Sequence, residues 1–230
     1  MNVKYSFLIV YLLIITSCTP QIHEINFPKQ SPPFFSFANK DPYNTDIEHL
    51  KRMKKYDKII KSSPIPVFIM DQNDLPKVLT NSLQYSQLGQ IYGLCILNRI
   101  DPYWPDKFIF INIKYSAETI LNTYFHEYQH YKCEISNCYC SQKSLFLPDE
   151  QIIIRALREK HAIENELRTG LEMKDIYLVR NSCISISRYI LHSEEYTYKI
   201  ASICVASGKY WEEAVIFIKN SEKGKSNKLR

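Results

Sequence analysis

The sequence predicts an α+β domain: a small β-sheet built from the first half of the chain, followed by a helical half. Three observations point there. The β-rich runs "PIPVFIM", "QIYGLCILN" and "KFIFINIKY" cluster between residues 64 and 115, and turn-rich text such as "RIDPYWPD" separates them. From Ser116 onward the apolar residues recur at helical spacing almost to the C-terminus. No internal repeat interrupts this order, so one domain accounts for the pattern.

The first eighteen residues, "MNVKYSFLIVYLLIITSC", stand apart. Lys4 precedes an apolar run from Phe7 to Ile15, short for a helix that spans a bilayer but suited to the core of an export signal. Ile15, Thr16, Ser17 and Cys18 resemble the lipobox of bacterial lipoproteins. That resemblance implies removal of residues 1–17, acylation of Cys18 and an exported protein anchored to a membrane of the bacterial cell envelope. Residues 18–43 are rich in proline and read as a tether, with His23 part of it. The folded domain is expected over 44–222 and a basic flexible tail over 223–230.

Within the domain, "NTDIEHLKRMKKYDKIIKS" reads as a helix with Ile47, Leu50, Met53, Ile59 and Ile60 toward the core and its lysines in solvent. "DQNDLPKVLTNSLQY" reads as a loop and a helix. In "KFIFINI", Phe108, Phe110 and Asn112 share one face; Ile109, Ile111 and Ile113 form a β-branched face that calls for a covering helix. "SAETILNTYFHEYQHYK" is a helix with Ser116 as N-cap and Glu118 complementing the dipole of its first turn. "DEQIIIRALREKHAIENELRTG" follows, ending at Gly170, and two or three more helices complete the chain.

A formal net charge of +5 and the lack of dense basic runs beyond "KRMKKYDKIIK" give no reason to expect nucleic acid as a partner. Of the seven cysteines, six remain beside Cys18. An even number in an oxidising compartment favours disulfides, although the pairing stays open.

The stretch "NTYFHEYQHYKCEISNCYC" carries the chemistry. His126 and His130 are four apart on a helix, so both rings can reach a single ion. Glu127 adjoins the first histidine, placed to take a proton from a zinc-activated water while the histidines hold the metal. A third ligand is needed. Cys133 shares that side of the helix, but a thiolate suits an exported peptidase site poorly. On the next helix Glu159, Glu164 and Glu166 compete. With an apolar face set by Ile152, Ala156, Ile163, Leu167 and Gly170, Glu159 and Glu166 point near that face and Glu164 lies further round.

His126-Glu127-x-x-His130, followed by a helix bearing Glu159-x-x-Ala162, resembles the gluzincin branch of zinc metallopeptidases, nearest its compact members, over roughly residues 88–170. The resemblance implies a minimal gluzincin-like fold, one Zn(2+), His126, His130 and Glu159 as ligands, Glu127 as general base, and a peptide or protein substrate. It departs from the pattern at the cysteine cluster and at His161, which the helical spacing turns toward solvent. Tyr196, Tyr198 and His192 are candidate transition-state donors. A disulfide from Cys133 to Cys138 or Cys140, or out to Cys183 or Cys204, would staple the turn between the two motif helices. The expectation is therefore an exported zinc metallopeptidase. The alternative is a non-enzymatic surface lipoprotein whose structural or vestigial metal site serves an interaction module.

Overall fold

The structure, a computed structural model, describes residues 46–75, 91–98, 104–136, 148–192 and 196–226, with side chains left out at 148–150, 188–192, 196–198 and 223–226. The chain divides into Met1–Ser31 and Pro32–Arg230, and every described residue belongs to the second unit. The expected export signal, Cys18 and the whole of the expected tether, residues 18–43, lie outside the described residues.

Helix α1 (Ile47–Lys61) starts at Asp46, whose carboxylate accepts from the Glu48 amide. Its buried stripe is Met53, Tyr56 and Ile60, while Ile47 is 68% exposed. Ile47 was expected in the core; at 100° per residue it falls on the lysine side instead. Strands β1 (Val67–Met70), β2 (Gly93–Ile96) and β3 (Phe108–Asn112) form a mixed sheet in the order β1-β3-β2. β1 runs parallel to β3 with Val67 opposite Ile109, and β2 runs antiparallel with Gly93 opposite Ile111. A one-turn 3-10 helix, Gln72–Asp74, follows β1.

The central strand is buried on both faces, as its continuous apolar text requires. Ile109 and Ile111 join Met53, Tyr56, Ile120, Leu121 and Tyr124 in one core. On the other face Phe108 packs against Phe68 and Trp104, with ring centroids 5.4 and 4.9 Å away. The covering helix expected over the isoleucine face is α2 (Ala117–Ile135), capped by Ser116 through the Thr119 amide.

Four helices complete the chain: α3 (Pro148–Glu172), α4 (Ile176–His192), α5 (Tyr196–Ala206) and α6 (Lys209–Ser226). Ile163, Leu167, Val179, Ile186, Ala201, Val205 and Ala214 form a second core among them. Residues 223–226 continue α6 into the expected tail. Ile152 is 39% exposed and Ile154 takes its place in the buried stripe of α3.

Gly170 does not end α3. The helix continues to Glu172, and the left-handed residue that closes it is Lys174, at φ 52°. The Lys174 amide bonds to the Leu171 carbonyl and the Asp175 amide to that of Gly170, the paired bonds of a Schellman motif. Gly170 serves packing: a Cβ there would sit 3.0 Å from Val179 Cγ2.

Candidate metal centre

Four residues after β3, α2 begins, and the Asn112 side chain holds this junction. It accepts from the Lys114 amide at 3.0 Å and donates to the Ile91 carbonyl at 3.1 Å. The face of α2 bearing Ile120 and Tyr124 covers the sheet. His126 and His130 project from another face toward α3, with ring centroids 4.8 Å apart. α3 is tied there by Asn165, whose amide donates to the Phe125 carbonyl at 2.9 Å and whose oxygen accepts from Arg168 at 2.8 Å.

Glu159 reaches both rings. Its Oε2 is 3.1 Å from His126 Nε2 and its Oε1 is 3.5 Å from His130 Nε2. Donor atoms of His126, His130 and Glu159 lie within 4.8 Å of one another, so this group can hold a metal ion. Glu166 takes the other side of the first ring, 2.8 Å from His126 Nδ1. Glu164 faces Lys160 at 3.3 Å and stays out of the centre. The competition among the three acids thus resolves by position: one spans the two Nε2 atoms, one braces a ring, one pairs at the surface.

The brace extends into α4. Ser182 Oγ donates to Glu166 Oε2 at 3.3 Å and accepts from Asn122 Nδ2 at 2.8 Å; that amide also donates to the Leu178 carbonyl. Asn122 and Ser182 are buried. Spacing within α2 could have flagged Asn122, four residues before His126. Nothing local marks Ser182, a small polar residue in an apolar helix.

Glu127 is 9% exposed and lies against the edge strand β2. Burial, with the charges of Glu159 and Glu166, pushes its carboxyl up to about 7, against the opposing influence of His126 and a hydrogen bond from the Cys95 amide. Gly93 permits this approach: a Cβ there would overlap Thr123 Cγ2 and stand 3.2 Å from Glu127 Cγ. Burial alone would lower the His126 pKa, but its bonds to Glu159 and Glu166 and their charges hold it well above the ordinary histidine range. Glu159 moves the other way. Burial raises it, yet the His126 bond and the charges of His130, His126 and Arg158 leave it below the usual carboxylate value.

Cys133 is buried at the end of α2 and its sulfur accepts from Gln129 at 3.4 Å, apart from the metal group. Cys183 and Cys204 carry free thiols, which removes the expected bridge from Cys133 to either. They sit on α4 and α5, whose packing needs no bridge between these two thiols and Cys133, and burial pushes the Cys183 thiol up to about 11. Cys138, Cys140 and the side chains of His192, Tyr196 and Tyr198 lie outside the described residues. His161 is exposed, as the spacing requires. No protein-family model, curated protein or solved structure compared with the chain matches it.

Proposed function

We propose that this chain is an exported, lipid-anchored zinc metallopeptidase of compact gluzincin type, acting on a peptide or protein. The observation that carries the reading is the position of Glu159, 3.1 Å from one imidazole and 3.5 Å from the other. The two distances belong to different carboxylate oxygens, Oε2 and Oε1, and the donor atoms of the three side chains lie within 4.8 Å of one another, near enough to share one ion. Two imidazoles and one carboxylate, leaving a fourth position open, are the donor set of a catalytic zinc.

Bound there, zinc supplies Lewis acidity that polarises a peptide carbonyl and makes water more acidic. The chain's own residues do the remainder. Glu166 fixes the orientation of the His126 ring through Nδ1. Glu127, whose carboxyl is pushed up to about 7, is suited to take a proton from the attacking water and pass it to the leaving amine.

The test is Glu127→Gln. That protein keeps its zinc by metal analysis and loses chelator-sensitive hydrolysis of a mixed peptide panel; full residual activity refutes the role. The burial of Glu127, 9% exposed, favours a second reading, a surface lipoprotein with a structural or vestigial metal site. Under it the wild-type chain holds zinc and cleaves no peptide in the panel.

A further inference from the structure

Helix α1 is one of two strongly basic stretches, the other being the tail over 223–230 with Lys223, Lys225, Lys228 and Arg230. α1 holds six basic residues against Glu48 and Asp57, a surplus of four where the whole chain has a surplus of five. Arg52 is engaged in the fold: its guanidinium lies 3.0 Å from His49, 3.5 Å from Glu118 and 3.8 Å from the centre of the Tyr177 ring. Lys51, Lys54, Lys55, Lys58 and Lys61 are all exposed. At 100° per residue they fall within an arc of about 120°. Ile47, 68% exposed, lies in the same arc. Between Lys54, Asp57, Lys58, Lys61 and Ser62 the surface dips into a recess of about 470 Å³.

We propose that this lysine face docks on an anionic lipid bilayer. Flexible ammonium groups spread along one stripe suit a laterally mobile array of phosphate headgroups. An exposed isoleucine beside the lysines can enter the headgroup boundary. The lipobox-like run at Cys18, with its short tether, favours a membrane over a soluble acidic partner. The choice of a membrane rests on the lipid-anchored part of the proposed function and not on its peptidase part, for which it has a consequence. α1 meets α2 through the core that contains Tyr124, whereas His126 is about 200° further round that helix. A bilayer bound by α1 therefore lies on the side of α2 away from the candidate metal group.

The experiment measures partition of the full chain onto phosphatidylcholine vesicles with and without phosphatidylglycerol, at low and high salt. The apolar N-terminal run acts on both compositions alike, so the ratio between them reports the chain's charges, and the two lysine variants assign it to α1 or to the rest of the chain. The wild-type chain favours the anionic vesicles, and high salt abolishes the preference. The triple variant Lys54→Gln, Lys55→Gln, Lys58→Gln loses on the order of a hundredfold of it. A matched variant, Lys199→Gln, Lys209→Gln, Lys219→Gln, stays within about threefold of wild type, because that charge loss lies outside the docking face. Circular dichroism verifies that both variants are folded. Equal binding to the two vesicle types, an α1 variant that keeps the preference, or equal losses in the two variants overturns the proposal.

Discussion

Replacing Glu166 separates the acid that braces the metal centre from the acid that belongs to it. Its carboxylate stands 2.8 Å from His126 Nδ1 and is 8% exposed, so the bond is shielded from water. Outer partners of this kind typically change metal affinity by about 10- to 100-fold, or about 1.4–2.8 kcal/mol. Glu166→Gln keeps an acceptor oxygen for the ring and another partner for Ser182, which places it near the lower end of that range. Glu166→Ala strands both the ring N–H and the Ser182 hydroxyl, which places it near the upper end. Glu159→Ala removes the proposed third ligand and should lose more than about 100-fold. Affinities measured by chelator competition on folded full chains check the order. If Glu166→Ala costs more than Glu159→Ala, the two acids exchange roles and the reasoning from ring nitrogens fails. If Glu166→Ala costs nothing, the brace is not one.

Three further outcomes follow from single positions. Gly93→Ala sets a methyl against Thr123 and 2.9 Å from the Phe110 carbonyl; a loss of about 1–3 kcal/mol in urea unfolding is expected. Lys174→Gly relieves a left-handed backbone, φ 52°, and should add up to about 1 kcal/mol, seen as a higher Tm. The Tyr56 hydroxyl donates to Asp175 at 2.8 Å, and burial together with the Asp175 charge raises its pKa far above the ordinary range. Since the folded value exceeds the unfolded one of about 10, stability is held below that pH and lost above it. Tyr56→Phe should cost about 2 kcal/mol at neutral pH and flatten the alkaline decline in a pH series of melting curves.

The architecture was legible where local chemistry decides it. Alternation in "KFIFINI", the cap at Ser116 and the four-residue spacing of the histidines depend on neighbours in the chain, and each recurs in the structure. Helical phase also separated Glu164 from Glu159 and Glu166. What it could not decide is which nitrogen of His126 each acid meets, because that depends on how α3 lies across α2. The same limit hid Ser182 and the Cys95 amide, which come from α4 and β2. Gly170 misled for a different reason. Glycine near a helix end is read as a cap, yet here the missing side chain admits Val179, and a lysine adopts the left-handed turn.

Charge argues for a cation among these donors. Glu159 and Glu166 meet the His126 ring, Glu127 is buried next in the chain, and burial penalises the ionised carboxylates of Glu127 and Glu159. Ion pairing for stability alone gains little in such a place, since apolar residues of similar volume do as well. A proton on His126, held there by Glu159 and Glu166, is one way to balance them. A metal ion on Nε2 displaces that proton, so affinity falls as pH drops through the raised His126 value, and binding releases a proton that calorimetry in buffers of different ionisation heat can count. The Nδ1–H stays with Glu166 throughout. The contact that stabilises the protonated ring would therefore also select the tautomer a metal requires, with Nδ1 donating to Glu166 and Nε2 available as a ligand beside Glu159.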